Sequence, residues 1–98
     1  MLISLKNTSD YRLKFEPQAE KYLKKLAIKD KKVANIIFKA IKKIINNPHN
    51  SDILKGNKKR IRKKKQGDYR VFFRINDSVN PPEIRIYRIG HRKNVYKI

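Results

Sequence analysis

The sequence predicts an α+β domain: an antiparallel β-sheet meander with an N-terminal α-helical hairpin packed on one face. Three observations predict it. Apolar residues recur at three- and four-residue steps between Ala19 and Ile45, interrupted once at Lys29-Asp30. From Lys58 onward they alternate with cations instead, most clearly through Tyr69 to Ile75. Turn residues separate the segments at Asn46-Asn47-Pro48, Gln66-Gly67-Asp68 and Pro81-Pro82.

Tyr11 to Phe15 alternates apolar and basic residues and reads as a strand with one buried face. Pro17 then stands where a helix begins, because a first-turn residue needs no N–H partner. Ala19, Tyr22, Leu23, Leu26 and Ala27 form the apolar stripe of that helix, and its outer face is coated with lysine. Asp30 caps a second helix, whose main stripe is Val33, Ile37, Ala40, Ile41 and Ile44. Asn46-Asn47-Pro48 ends it. The short connection makes the pair an αα-hairpin, which must bury its stripe against a sheet.

Lys58 to Lys64 reads as the next strand, with Arg60 and Arg62 on one face and Ile61 on the other. After the turn at Gln66-Gly67-Asp68, Tyr69, Val71, Phe73 and Ile75 share one face, and Arg70, Phe72 and Arg74 the other. Glu83 to Ile89 is the last strand, broken by Gly90, and a short tail carries Tyr96. The order is β-α-α-β-β-β. Residues 1–98 are read as a single domain, with 1–10 an N-terminal extension in which Leu2, Ile3 and Leu5 are available for packing.

Composition narrows the function. The 98 residues hold 27 Lys plus Arg against 8 Asp plus Glu, a formal charge of +19, with a mean hydropathy of −0.80. Leu, Ile, Val and Phe nevertheless make 28 of the 98, above the roughly 20% below which a charged chain stays unfolded. With no cysteine there is no disulfide framework, thiolate nucleophile or cysteine-type zinc site. Unbroken apolar runs reach only three residues, as at Ile36-Ile37-Phe38, too few to span a membrane. The first ten residues do not have the pattern of a secretory signal, so a cytoplasmic protein is expected.

Such a charge attracts polyanions. Lysine, isoleucine and asparagine are all favoured by an AT-rich coding sequence, so lysine alone says little. Arginine says more, because seven of the eight arginines fall in the last 39 residues. Its planar fork fits a phosphate bidentately and stacks on bases. A sheet covered on one side by helices leaves its other face open. Alternation assigns Arg60, Arg62, Arg70 and Arg74 to that open face, as a patch facing water or an external anion. Phe72, Tyr87 and Tyr96 lie near the arginines in sequence, and bases stack on such rings.

The segments Ile53-Leu54-Lys55-Gly56-Asn57, Arg60-Ile61-Arg62, Gly67 to Phe73 and Ile89 to Tyr96 follow one another in this basic chain. Their order and spacing resemble the RelE/ParE superfamily of toxins from type II toxin–antitoxin systems, and within it the RelE-type mRNA interferases most. The resemblance covers residues 11 to 98. It implies the fold read above and a metal-independent endoribonuclease that needs no cofactor. That enzyme cuts mRNA in the ribosomal A site: the 2′-hydroxyl attacks the adjacent phosphate and leaves a 2′,3′-cyclic phosphate. It also implies an acidic, RelB-like antitoxin as partner in a hetero-oligomer.

Carried over residue by residue, the family's basic pair falls on Arg60 and Arg62, where the best-studied members have lysine. Its later arginines fall on Arg70 and Arg92, and its C-terminal catalytic tyrosine on Tyr96. Lys55 lies at the family's basic entrance to the site. Lys58, Lys63, Arg74, His91 and Lys93 are the further candidates for RNA contact.

Attack at phosphorus builds charge on the non-bridging oxygens, and fixed cations such as Arg70 and Arg92 stabilise it. Arginine is a poor acid or base because its pKa exceeds about 12. A dense cationic patch favours phenolate, which makes Tyr96 the candidate general base and His91 a reserve. Two other readings remain open at this point: a ParE-like inhibitor of DNA gyrase, and a nucleic-acid-binding relative without catalysis.

Overall fold

The computed structural model of the chain describes residues 11–54 and 60–95. The N-terminal extension 1–10 and the candidates Lys55, Lys58 and Tyr96 lie outside the described residues. The elements run in the order β1 (Arg12–Phe15), α1 (Pro17–Lys29), α2 (Lys31–Asn46), β2 (Asp52–Ile53), β3 (Arg62–Gln66), β4 (Tyr69–Asn76) and β5 (Glu83–His91).

The helices start and stop on the residues that favour it. Pro17 opens α1, and Glu16 before it makes no side-chain cap. The Glu16 carboxylate instead accepts a hydrogen bond from Arg85 at 2.9 Å, which ties the helix start to β5. At α2, the Asp30 carboxylate accepts the Val33 N–H at 3.2 Å, satisfying one donor that the first turn leaves free. The helix ends at Asn46, two residues before Pro48.

The strands form one sheet in the order β1-β5-β4-β3-β2. From β2 to β5 the pairing is antiparallel. β1 lies parallel to β5, with Leu13 opposite Ile84 and Phe15 opposite Ile86, so the sheet is mixed rather than antiparallel throughout. A parallel neighbour needs a long connection, and all the chain from α1 to β4 supplies it. The two-residue strand β2 extends the expected order by one element.

Helix α1 lies over β5 and α2 over β3 and β4. Between the layers Leu23, Ile37, Ile41, Ile44 and Ile45 meet Val71, Phe73, Ile84 and Ile86, all 2% exposed or less. Burying a side chain of this size contributes about 2 kcal/mol, so this seam holds the hairpin on the sheet. An irregularity between Phe72 and Phe73 sets Phe72 opposite Arg88 and Phe73 opposite Ile86, leaving Tyr87 as an extra residue. That bulge lets Ile86 and Ile89 both reach the core although they are three apart. Among the described residues, no helix is long and apolar enough to cross a membrane.

Two expectations need correction. The turn between β3 and β4 is the pair Gly67-Asp68, closed by Gln66 opposite Tyr69, and not the three residues from Gln66 to Asp68. Gly67 has φ +58°, the left-handed first position that a tight hairpin turn assigns to glycine. The shorter turn shifts the register by one residue, and a one-residue shift moves every side chain of a strand to the opposite face. Nor does Gly90 break β5, which continues to His91. A Cβ on Gly90 would come within 3.1 Å of Val95 Cβ, so the missing side chain makes room for the chain folding back after the strand.

Candidate nucleic-acid interface

The register decides which side chains share the face that the helices leave open. Val71 and Phe73 point into the core, so Arg70, Phe72 and Arg74 point away from it. Opposite them on β3 stand Lys65, with Arg70, and Lys63, with Phe72. On β5 Gly90 faces Arg70, Arg88 faces Phe72 and Arg85 faces Arg74. On β1 Lys14 pairs with Arg85 and Arg12 with Glu83. Five of the chain's eight arginines thus lie on this face, with three lysines beside them.

The acidic groups on the face collect at one end. Arg85 is held by Glu16 at 2.9 Å and by Glu83 at 3.3 Å. The Glu16 hydrogen bond is the main reason its guanidinium is held above its ordinary pKa. Among the described residues, Lys65, Arg74 and Arg88 have no carboxylate within ion-pair distance. Phe72 lies among them but is only 6% exposed, so its ring serves the face more as a floor than as a stacking platform.

Arg70 and Arg92 meet at the Gly67-Asp68 turn. Arg70 Nη1 donates to the carbonyls of Gly67 and Tyr69, each at 2.9 Å, and its Nε is buried with no partner among the described residues. The Arg92 N–H donates to the Asp68 carbonyl at 2.8 Å, extending the β4–β5 ladder past its last rung. Its Nε lies 3.4 Å from the Asp68 carboxylate, with both side chains more than half exposed. Such an exposed pair is weak and leaves the guanidinium open to a competing anion.

Arg60 and Arg62, also expected in this cluster, lie elsewhere. Arg62 pairs with Phe73 and therefore belongs to the helix-covered side. Its Nη1 donates to Ser51 O at 2.7 Å and to His49 O at 3.4 Å, bracing the loop after α2. Arg60 is exposed, has a left-handed backbone (φ 57°) and precedes β3. Lys65 lies five positions further along the chain, up to about 16 Å away at the rise of a strand. The expected placement of Arg60 and Arg62 beside Arg70 is thus corrected, because it depended on the longer turn. Lys63 and Lys65 hold that position, and the cations of the face that sequence reasoning missed are Lys65 and Arg88, with Arg12, Lys14 and Arg85 toward its acidic end. Reading Gly67-Asp68 as a two-residue turn would have identified Lys65.

His91 is opposite Tyr69, their rings in an edge-on contact with centroids 5.2 Å apart. Its Nδ1 accepts the Lys93 N–H at 3.1 Å, which leaves Nε2 as the donor of the neutral ring. Lys93 itself is exposed in the turn after β5. His91 and Tyr22 line an open cleft of about 250 Å³ along the outer edge of β5, beyond the end of β1. Burial, and then the neighbouring Tyr69 phenol, raise the Tyr22 pKa above its ordinary 10. Tyr22 therefore stays a hydroxyl donor at neutral pH and is no base.

Comparison with known proteins gives this arrangement a family. A search of the curated proteins finds no match. Among solved structures, the archaeal RelE–RelB complex from Pyrococcus horikoshii OT3 contains a similar chain. Its TM-score is 0.65 at 22% identity, covering 87% of this chain and 98% of that one. The toxin–antitoxin complex RelBE2 from Mycobacterium tuberculosis gives a TM-score of 0.58 at 20% identity, covering 90% and 98%. These likenesses establish the fold. The family model described as the ParE toxin of the type II toxin–antitoxin system parDE matches residues 13–96. With most of its length matched, the chain belongs to the ParE toxin family of type II toxin–antitoxin systems, within the RelE/ParE superfamily.

Proposed function

We propose that this toxin is a metal-independent endoribonuclease that cuts mRNA, in the ribosomal A site, and so stops translation in the cytoplasm. The observation that carries the reading is the meeting of Arg70 and Arg92 at the Gly67-Asp68 turn, with Lys65 directly across from Arg70. A phosphodiester laid on this end of the open face would meet three cations from three different strands or their ends. In the reaction the 2′-hydroxyl attacks the adjacent phosphorus, the 5′-oxygen leaves, and a 2′,3′-cyclic phosphate forms. Cations fixed by the turn are oriented before the reaction, and they favour the charge-rich transition state over the ground state.

Arg70, Arg92 and Lys65 bind and orient the phosphate, and Lys63, Arg74 and Arg88 hold the flanking strand. Proton transfer is assigned to Tyr96, the tyrosine that the family resemblance aligns with a catalytic one. His91 pairs with Tyr69 on the helix-covered side of the sheet and is assigned no step at a phosphate on the open face. Lys93, Lys55 and Lys58 are further contacts to the RNA. The natural inhibitor is an acidic antitoxin segment that folds over the cationic face, as the RelB-bound relatives suggest. Incubating the protein with translating ribosomes and message, then mapping RNA ends, tests the reaction. Ends carrying a cyclic phosphate support it.

A second reading has its own observation. The matching family model is that of ParE, and two of the arginines assigned to the nuclease, Arg60 and Arg62, stand away from the others. On that reading the toxin inhibits DNA gyrase. A supercoiling assay with purified gyrase separates the two, since a ribonuclease leaves supercoiling untouched.

A further inference from the structure

The cations of this protein are sorted by type as well as by position. The α1–α2 hairpin, residues 17 to 46, carries nine lysines, no arginine and only Glu20 and Asp30 as acids. All nine lysines are exposed. Lys24 approaches Glu20 at 3.7 Å and Lys43 donates to Gln66 at 3.1 Å. Asp30 is occupied as the α2 cap. The other seven lysines have no carboxylate near them among the described residues.

They form continuous stripes. At about 100° per residue, Lys21, Lys24, Lys25 and Lys29 fall within one arc of roughly 140° on α1, around Ile28. On α2, Lys31, Lys32, Lys39, Lys42 and Lys43 fall within about 120°. Apart from Lys43, which reaches Gln66 at the end of β3, both stripes point away from the sheet, because the opposite sides of the helices are in the core. Like charges at i and i+4, as in Lys21/Lys25, Lys25/Lys29 and Lys39/Lys43, destabilise a helix. An external polyanion relieves that repulsion.

Residue type indicates which polyanion. Lysine is a point charge on a flexible stem, suited to phosphate but not to the planar edges of bases. Phosphate contacts position a protein on a duplex without reading its sequence. A bilayer surface would ask for a broad apolar face beside the charge. Here the apolar faces are spent on the core, and Ile28, 82% exposed, stands alone among the lysines.

We propose that the outer face of the α1–α2 hairpin is a second RNA-binding surface. It docks the backbone of duplex RNA by point charge, while the arginine-bearing sheet face takes a single strand. The choice of RNA over DNA rests on the function proposed above; the separateness of the two surfaces does not. The layers place them back to back, so both can be occupied at once. A toxin acting on a single strand inside a folded RNA would be held there by a flanking stem.

The test uses the full chain and a fluorescent RNA duplex of about 16 base pairs, the span of a known duplex-reading domain, with anisotropy followed against KCl. The variant K21Q/K25Q/K29Q/K32Q should keep its fold, since glutamine and lysine have similar helix propensity. It should bind the duplex at least tenfold more weakly at moderate salt. The slope of log K against log salt should fall by about 3.6, roughly 0.9 for each of the four lost phosphate contacts. Arginine at the same four positions should restore binding.

Saturating single-stranded RNA should leave the duplex bound, and Arg70→Ala should weaken only the single strand. Were the sheet face to bind no RNA while the lysine variant still lost the duplex, the nuclease reading would fail and the second surface would stand. The proposal is overturned by unchanged duplex binding in the glutamine variant or by one-for-one displacement of duplex by single strand. It is equally overturned if DNA duplex, or phosphatidylserine vesicles, bind through the stripe when RNA duplex does not.

Discussion

Lys65 and Arg70 stand directly opposite each other on the second rung from the β3–β4 turn, two cations held side by side on the open face. Like charges in that relation destabilise a sheet by roughly 0.2–1 kcal/mol. Folding alone would not favour the pair, whereas an anion placed between them would. Lys65→Gln should therefore raise the unfolding temperature slightly at low salt while weakening binding of single-stranded RNA several-fold. Thermal unfolding and anisotropy on one preparation check both. A variant that is less stable and binds as before would show that the pair has no anion to serve.

Arg62 gives the contrasting case. It braces the loop after α2 through Ser51 O and His49 O and lies off the cationic face. Arg62→Ala should cost about 1.5 kcal/mol, the value of a charged hydrogen bond. It should leave RNA cleavage unchanged at temperatures where the variant is folded. Urea unfolding with an end-mapping assay is the measurement; lost cleavage in a folded Arg62→Ala would return Arg62 to the site.

Gly90 and Val95 control how the segment bearing Arg92 is held. Adding a Cβ at Gly90 sets it 3.1 Å from Val95 Cβ and 3.2 Å from Cγ2, so the turn after β5 has to shift. Gly90→Ala should destabilise by about 1–2 kcal/mol, in the range of an overpacked core. It should also reduce activity by displacing Arg92. Val95→Gly in the same chain, which removes both contacting carbons, should recover part of the lost activity; no recovery would place the cause elsewhere.

The Tyr22 hydroxyl supplies a pH dependence. Burial and the Tyr69 phenol raise its pKa above 10, so at alkaline pH the folded protein keeps a proton that the unfolded chain has released. That contribution to stability is complete below pH 10 and is lost as pH rises through the folded value. The stability difference between wild type and Tyr22→Phe should be flat from neutral pH to about 10 and then move against the wild type. A difference constant into strong alkali would contradict the burial of the phenol.

Much of this fold could be read from local chemistry. Pro17, Asp30 and Asn46-Asn47-Pro48 mark the helix ends because capping and backbone restriction act within a few residues. The alternation of β4 marks its two faces for the same reason. What could not be read locally was pairing. The parallel contact of β1 with β5 joins residues about seventy apart, and no periodicity reports it. Nor does a strand's own sequence say which of its faces meets a neighbour's. One residue in the turn decided that Lys63 and Lys65, and not Arg60 and Arg62, stand beside Arg70. Arg70 could be set on the open face from the alternation of β4 alone, whichever way β3 is set, whereas Arg92 was pointed to by the family resemblance and not by any local pattern.

The most direct test maps RNA ends after translating ribosomes meet wild-type protein, Arg70→Ala and Arg62→Ala. The account expects cuts ending in a 2′,3′-cyclic phosphate with wild type and Arg62→Ala, and none with folded Arg70→Ala. Uncut message with wild type alongside inhibited gyrase, or full cleavage by Arg70→Ala, would contradict it.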